Sequence, residues 1–269
     1  MRQVPLFQVD AFTDRPFTGN PAAVVLLEED GDSDWMLQVA REMNLSETAF
    51  MYPLGEYYGL RWFTPGTEVE LCGHATLSAA HVLWQTRSVS ADQAIRFITL
   101  SGELGAQRDG DWIRLDFPAN PLSPVDLPLA VLSAVGGRPV FSGVSGEKWL
   151  LEYSSEEEIL ALAPDFVALS GIPGRGLIVT SRSGESNVDF VSRSFAPWVG
   201  INEDPVTGSA HTILGPYWGA KLGKQELTAR QVSARGGLLR VGLAGERVFI
   251  SGQAVTVFSG ELSGQATSK

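Results

Sequence analysis

The hydrophobic and polar positions of this chain follow two periods, the two-residue period of strands and the three-to-four-residue period of helices. Short alternating segments such as residues 4–12 are separated by glycine and proline turns, as is typical of strands. A short helical period begins after Ser33 or Asp34, either of which could cap a helix. Two longer helices are predicted, one just after Cys72-Gly73 and one from Thr207-Gly208. The mixture predicts an α+β fold.

A proline-rich segment divides the chain near its middle. Residues 118–124 contain three prolines, which favour an extended and stiff connector. We therefore predict two domains. The first comprises residues 1–117 together with about 254–269, and the second comprises residues 118–253.

The two halves of the chain share an internal repeat. The segment Arg61-Trp62-Phe63-Thr64-Pro65 is matched by Arg193-Ser194-Phe195-Ala196-Pro197, and each precedes a glycine that opens a predicted helix. These glycines, Gly73 and Gly208, are 208 − 73 = 135 residues apart, which is about half of the 269-residue chain. The shared order of strand, turn, loop, glycine and helix predicts a duplicated architecture.

Composition narrows the classes of partner. The net charge is −11, from 31 acidic and 20 basic side chains, so the surface repels phosphate backbones and anionic lipids. We therefore expect neither nucleic acid nor membrane as a partner. The first residues lack the apolar core of a signal peptide, and no apolar run reaches the length of a membrane span. A cytoplasmic protein is expected. One cysteine and three scattered histidines predict neither an intrachain disulfide nor a metal site.

The two glycine-led helix starts are the first candidates for chemistry. A helix N-terminus presents unpaired N–H groups and a partial positive charge, and glycine lets a ligand approach them closely. Gly73 and Gly208, facing each other across a cleft, could hold a substrate carboxylate. Ordinary structural helix starts are the alternative. His74 follows the first glycine, where the dipole favours a neutral imidazole that can exchange protons, and Ser209 follows the second.

Two acidic residues and two further histidines are less clear. Glu47 is expected at the rim of a buried strand, where partial burial would raise the pKa of its carboxyl and suit it to acid–base work. A simple capping role is the alternative. Asp204 is held extended by the following proline and could orient a histidine, bind a substrate amine or hydroxyl, or only cap its loop. His81 is expected to pack in the core, and for His211 structural and functional interpretations are balanced.

Other catalytic motifs do not match. The sequence has no glycine-rich dinucleotide or phosphate loop, no zinc-protease motif and no C-x-x-C pair. Gly208-Ser209-Ala210 lacks the G-x-S-x-G turn on which a hydrolase would present its serine.

Four motifs are spread over residues 9–211. They read VDAF…FTGNPAAV (9–24), LSETAF (45–50), RWFTP…CGHAT (61–76) and DPVTGSAH (204–211). In this order and spacing they resemble the motifs of the PhzF-like family, the phenazine-biosynthesis-type isomerases.

The resemblance implies a diaminopimelate-epimerase-like fold. Two pseudo-symmetric domains, each a mostly antiparallel sheet or barrel wrapped around a central helix, would hold the site in the cleft between them. It also implies an enzyme without cofactor, usually a homodimer, that acts on a small carboxylate-bearing molecule. The type member of the family isomerises a dihydro-hydroxyanthranilate by moving a hydrogen within the ring.

Carried onto this chain, the resemblance assigns the proton shuttle to Glu47. His74, Asp204 and Ser209 would complete the catalytic group. The implied substrate-binding positions are Gly73, Ala75, Thr76, Gly208 and Asn20. The variable part of a ligand would meet the cleft rim, for which the candidates are Asn20, Tyr57, Tyr58 and Trp198.

One pair of positions separates this chain from the related racemases and epimerases, which use two opposed cysteines. Cys72 stands in the first such place, but Thr207 stands in the second. A threonine hydroxyl is far too weak an acid to replace a thiolate, so proton transfer by a single carboxylate is favoured over two-cysteine racemisation. The alternatives are a one-cysteine racemase or epimerase using Cys72, and a relative that binds a small molecule without catalysis.

Overall fold

A computed structural model of the chain describes residues 3–263. The contacts within it divide into two units: the first contains the chain up to Phe117 and again from Ser251, and the second contains Pro118–Ile250. The sequence places the return to the first domain at about residue 254, slightly later than the contacts do. The part of that prediction covering residues 264–269 lies outside the described residues.

The elements of the first unit include two parallel pairs of strands among antiparallel ones. In chain order they are β1 (Val4–Ala11), β2 (Asn20–Leu26), α1 (Ser33–Met43), β3 (Glu47–Leu54), β4 (Tyr57–Phe63), β5 (Glu68–Val69), α2 (Gly73–Gln85), β6 (Ile95–Thr99), β7 (Gly102–Asp109) and β8 (Trp112–Pro118). β2 and β3 are parallel, with Ala22 opposite Glu47, whereas β3 pairs antiparallel with β4. β4 is parallel to β6, and β6, β7 and β8 form an antiparallel meander.

The second unit repeats this order with more helices on its surface. Its elements are β9 (Ser123–Pro124), α3 (Leu129–Val135), β10 (Phe141–Ser145), β11 (Lys148–Glu152), α4 (Glu156–Ala161), α5 (Phe166–Ser170), β12 (Gly176–Arg182), β13 (Phe190–Ala196), a 3₁₀ turn (Pro197–Val199), β14 (Ile201–Asp204), α6 (Gly208–Leu222), β15 (Glu226–Gln231), β16 (Gly237–Ala244) and β17 (Arg247–Gly252). β11 and β12 are parallel, with Lys148 opposite Gly176. β12 pairs antiparallel with β13, which is parallel to β15. The last strand, β18 (Ala254–Leu262), belongs to the first unit and pairs with β1.

The internal repeat in the sequence corresponds to one and the same local structure in each unit. Arg61 on β4 donates two hydrogen bonds to Glu68 (2.7 and 2.9 Å), and its guanidinium lies over the ring of Phe63. Arg193 on β13 donates two hydrogen bonds to Glu203 (2.8 and 3.0 Å) and lies over Phe195 in the same way. Because a bidentate pair fixes both strands geometrically, the repeated arginine locks the equivalent turn in both units.

α2 and α6 are the central helices of their units. Along α2 every residue from His74 to Ala80 is buried, and α6 is buried over most of its first three turns. A helix that is buried on nearly all sides shows little amphipathic contrast and belongs in a core. α1, in contrast, is amphipathic and packs Met36 and Ala40 on the sheet. Its N-cap is Asp32, not Ser33 or Asp34, because the Asp32 carboxylate accepts bonds from two backbone N–H groups of the first turn.

Two glycines let α6 lie close to β16. A side chain at Gly215 would meet Val241 at 2.7 Å, and one at Gly219 would meet Leu243 at 2.3 Å. The predicted connector also packs here. Pro216, inside α6, cannot donate a hydrogen bond to the Thr212 carbonyl, and the backbone N–H of Asn120 donates to that carbonyl instead (3.1 Å).

Within residues 3–263, no helix is both long enough and apolar enough to cross a membrane.

Candidate active site

Three elements of the first unit bring polar side chains together at the start of α2. Glu47 opens β3, Asn20 opens β2, and His74 is the second residue of α2. The carboxylate oxygen Oε2 of Glu47 lies 3.4 Å from His74 Nε2, and both side chains are largely buried, with exposed fractions of 15% and 7%. A carboxylate and an imidazole thus meet in an environment that is poor in water, which suits proton transfer.

The orientation of the His74 ring follows from its neighbours. The side-chain nitrogen of Asn20 lies 3.3 Å from Nδ1, and the thiol of Cys72 lies 3.5 Å from the same ring nitrogen. Asn20 and Cys72 thus both contact the ring at its Nδ1 side. Nε2 faces the carboxylate of Glu47 and the hydroxyl of Ser46 at 3.5 Å. The ring therefore presents Nε2 to Glu47.

Burial changes the acidity of the Glu47 carboxyl. Desolvation raises its pKa above the ordinary value, while hydrogen bonds from the side chains of Ser46 and Cys72 oppose that rise. A carboxylate whose pKa is raised is a stronger base than one in water, and its protonated form is also populated closer to neutral pH. Glu47 can therefore both accept and return a proton.

The same side chains form the one group among residues 3–263 with the spacing of metal ligands. Glu47, Cys72 and His74 each bring a ligand atom, and the three atoms lie within 4.8 Å of one another. Sulfur, imidazole nitrogen and carboxylate oxygen are the donors that zinc prefers. A thiophilic divalent cation bound to them would occupy the carboxylate that the proton chemistry needs.

The N-terminus of α2 lacks the side-chain cap that α1 has. Cys72 is the N-cap residue and its side chain makes no capping hydrogen bond, whereas Asp32 caps α1. No side-chain cap from Cys72 therefore competes with an anion at the first turn of α2. Of the predicted binding positions in this turn, Gly73 is partly exposed, while Ala75 and Thr76 are buried and the Thr76 hydroxyl donates to the Cys72 carbonyl.

A second polar group surrounds the start of α6 in the second unit. Asp204 ends β14, and its carboxylate accepts a hydrogen bond from the hydroxyl of Thr207, the N-cap residue of α6. Gln231, at the end of β15, makes two hydrogen bonds to this loop. Its Nε2 donates to the Asp204 carbonyl (2.7 Å), and its Oε1 accepts from the Thr207 N–H (2.8 Å). Because the Thr207 hydroxyl bonds to Asp204, it does not cap the helix.

Ser209 has a cationic neighbour that the sequence did not indicate. Lys148, the first residue of β11, donates from Nζ to the Ser209 hydroxyl at 2.9 Å. Burial lowers the pKa of this lysine, Asp204 raises it, and Arg175 lowers it further. The side chains of Lys148 and Ser209 therefore lie together at the positive end of the α6 dipole.

The two remaining histidines have structural roles. His211 is fully buried, donates from Nδ1 to the Thr207 carbonyl (2.8 Å) and stacks on Phe190. Burial lowers its pKa to about 4, and the hydrogen bond to Thr207 opposes that shift, so the ring is neutral at pH 7. His81 lies on α2 with Nε2 3.1 Å from the Thr256 hydroxyl, and burial lowers its pKa too.

The predicted site residues thus fall into two groups. Glu47, His74 and Asn20 meet in the first unit, and Asp204, Gly208 and Ser209 meet in the second. Sequence reasoning missed Ser46, Lys148 and Gln231. Ser46 is adjacent to Glu47 in the motif LSETAF, so the sequence offered a signal for it. Lys148 and Gln231 lie in strands whose sequence pattern does not distinguish them from ordinary surface residues.

The predicted rim residues all have structural partners. Tyr57 lies beneath the guanidinium of Arg96, Tyr58 donates to the Ser88 carbonyl, and Trp198 donates from Nε1 to the Ile172 carbonyl. Their contact with a ligand stays a prediction.

Known proteins share both the sequence and the fold. Residues 9–260 match the family described as phenazine biosynthesis-like protein. An uncharacterized isomerase of Halalkalibacterium halodurans is 51% identical over 263 residues, which covers 97% of this chain and 99% of the relative. A crystal structure of a PhzF-family protein from Enterococcus faecalis superimposes with a TM-score of 0.93 at 41% identity, covering 97% of this chain and 99% of the other.

More distant structures share the fold alone. A hydroxyproline epimerase from Agrobacterium vitis superimposes with a TM-score of 0.64 at 11% identity, covering 97% of this chain and 92% of that one. The class is therefore that of the epimerase-like α+β proteins, as predicted. Within that class, the chain belongs to the phenazine biosynthesis-like (PhzF) family of isomerases, which confirms the resemblance seen in the four motifs.

Proposed function

We propose that this protein is a cofactor-independent isomerase that moves a proton on a small carboxylate-bearing metabolite, with Glu47 as the base. The observation that carries the proposal is the contact of a largely buried carboxylate with Nε2 of a buried imidazole, 3.4 Å apart, at the start of a central helix. Membership of a family of isomerases supports the same class of reaction.

In the proposed reaction Glu47 removes a proton from a carbon next to an unsaturated bond. The electron pair of the broken C–H bond moves into the substrate, a double bond shifts, and the protonated Glu47 returns a proton to a different atom. No atom is gained or lost, so the product is an isomer. His74, whose Nε2 faces the carboxylate, stabilises it before the transfer and can exchange a proton with it.

The second unit supplies the remaining groups in this proposal. Asp204 would bind a substrate hydroxyl or amine, and the first turn of α6, beginning at Gly208, would bind the substrate carboxylate through its N–H groups. The hydrogen bonds from Gln231 to the Asp204–Thr207 loop support a rigid, preformed arrangement.

The test is exchange of substrate hydrogen with deuterium from the solvent, followed across a set of unsaturated cyclic and acyclic carboxylates. Glu47→Gln, which keeps the size and polarity of the side chain, should lower exchange and turnover by at least about 100-fold. Glu42→Gln, on an exposed part of α1, is the matched control. A Glu47→Gln protein with full activity would contradict the assignment. Absence of exchange with every carboxylate would favour a binding protein without catalysis.

A one-cysteine racemase or epimerase is the second candidate, because the Cys72 thiol lies 3.5 Å from His74 Nδ1 and also hydrogen-bonds to Glu47. In that case Cys72→Ser would abolish exchange at an α-carbon. In the proposed isomerase the same substitution should preserve most of the activity, since the serine hydroxyl can replace the thiol as a hydrogen-bond donor.

A further inference from the structure

Lys148 lies on the face of β11 that points toward α6. Side chains alternate along a strand, so Lys148, Leu150 and Glu152 share one face. Lys148 contacts Ser209 at the start of α6, while Glu152 contacts Tyr217 and Lys221 more than two turns further along the same helix. β11 therefore runs alongside α6 and places its lysine at the amino end of the helix.

The duplicated architecture gives this position a counterpart in the first unit. Glu47 is opposite Ala22 on the parallel strands β3 and β2, and Lys148 is opposite Gly176 on the parallel strands β11 and β12. β3 and β12 each pair antiparallel with the strand that carries the repeated arginine, so β11 corresponds to β2 and not to β3. Lys148, which begins β11 and contacts Ser209, therefore stands in the second unit where Asn20, which begins β2 and contacts His74, stands in the first.

The electrostatics of Lys148 are unfavourable unless an anion is nearby. Its ammonium group is largely removed from water and lies at the helix end that is already positive. Asp204 attracts it and Arg175 repels it, but within residues 3–263 its hydrogen-bond partner is a neutral hydroxyl and it forms no ion pair. A negative group bound beside Ser209 would neutralise both positive contributions.

We infer that Lys148 is a substrate-binding residue whose ammonium group, together with the Ser209 hydroxyl, binds the carboxylate of the substrate. This inference rests on the proposed function and deepens it, because it gives the isomerase a charged group that selects acids over their neutral analogues. The lysine contributes a full positive charge, whereas the helix N–H groups contribute only partial charges. Substrates of this enzyme are therefore carboxylates and not esters or amides.

The experiment observes the lysine directly and needs no known substrate. Protein labelled with ¹³C in its lysines is titrated with acetate and with benzoate at constant ionic strength, and the Cε signal of Lys148 is followed by NMR. The signal is assigned by its absence from Lys148→Met. We expect a saturable shift with at least one of the two anions and none with acetamide or benzamide, their neutral counterparts.

Binding affinity gives the second measurement. Lys148→Met should weaken binding of the same anion at least about tenfold, and Lys148→Arg should restore part of it. Lys224→Met, which removes the same charge from the ion pair with Asp189, is the matched control and should bind as the unmodified protein does. Lys148→Met should also unfold at a higher temperature, because an apolar side chain suits the buried site better. A structural lysine would give the opposite change.

A Cε signal that moves with neither anion, or equal anion affinity in Lys148→Met, overturns the inference. Failure of the proposed function gives a different result from failure of the anion site. The titration is repeated in Glu47→Gln, where the shift should persist, since the base is not needed for anion binding. If Glu47→Gln keeps full turnover while the Lys148 shift persists, the proposed base is wrong and the anion site stands. If Glu47→Gln loses turnover but Lys148→Met binds the anion as the unmodified protein does, the proposed base stands and only the anion site is wrong.

Discussion

The start of each central helix carries a charged partner, and the two partners have opposite sign. In the first unit Glu47 on β3 meets His74, and in the second Lys148 on β11, the counterpart of β2, meets Ser209. The scaffold around them is alike in both units, down to the arginine that pairs with a glutamate on the next strand. Duplication has therefore preserved the framework while the residues at the helix starts have diverged. In our proposal one unit transfers the proton and the other binds the acid.

Substitutions at the second residue of each helix test this division of labour most directly. His74→Gln should lower kcat by about 100-fold or more, because the group that supports the base is lost. Ser209→Ala should mainly raise KM, because a contact made equally to substrate and transition state is lost. Steady-state kinetics on any substrate found by deuterium exchange would measure both. An equal fall in kcat for the two variants would contradict the division.

The repeated arginines test the likeness of the two frameworks. Arg61→Met and Arg193→Met each leave a partly buried glutamate without its bidentate partner, so each should lower the free energy of unfolding by about 3 kcal/mol. The measurement is denaturant unfolding of both variants. A large loss at one arginine and none at the other would show that the repeat is no longer symmetric in its energetics.

The His211 ring makes the second unit sensitive to acid. Its pKa is about 4 in the folded protein against 6.5 for an ordinary histidine, so folding favours the neutral ring. Stability from this group is fully present above pH 6.5 and is lost as the pH falls toward 4, by about 3 kcal/mol. His211→Gln should unfold with a flatter pH profile over that window, as measured by urea unfolding at several pH values. A profile parallel to that of the unmodified protein would contradict this assignment.

Glu47 should change the pH dependence of folding stability in the direction opposite to His211, and by a smaller amount. Because burial raises its pKa, the stability associated with its protonated form is present below the unfolded-state pKa of about 4.5 and is lost as the pH rises through the folded-state value. Glu47→Gln, which is never charged, should therefore be more stable than the unmodified protein at neutral pH. The difference should shrink as the pH approaches 4.5. A variant that is less stable at pH 7 would show that the carboxylate is a structural residue.

Much of the framework could be predicted from the sequence because its signals are local. The buried helices were predicted at Gly73 and Gly208, where a glycine precedes each helical period. The short helix α5 was not predicted, because five residues are too few to show a helical period. The cap of α1 was placed one or two residues late, because Asp32, Ser33 and Asp34 are all good caps and only the backbone geometry selects among them.

The site could be predicted only in part, for a related reason. Glu47, His74 and Asp204 were recognised through motifs that lie together in the sequence. Lys148 and Gln231 come from strands far along the chain and reach the start of α6 only through the pairing of the sheet. A lysine in an alternating strand resembles any solvent-facing lysine until the opposite helix is known.

The pairing of β1 with β18 has a consequence for how the chain is made. Val4 lies opposite Leu262, a separation of 262 − 4 = 258 residues, and the strand pair runs the full length of β1. During synthesis the ribosome delivers all of the second unit before the strand that completes the first. Glu47 and His74 thus lie in an incomplete sheet at that stage, while the inserted unit has every strand from β9 to β17 available. A nascent chain stalled before residue 254 should hold a protease-resistant second unit and a protease-sensitive first one, so the amino-terminal half of this protein matures last.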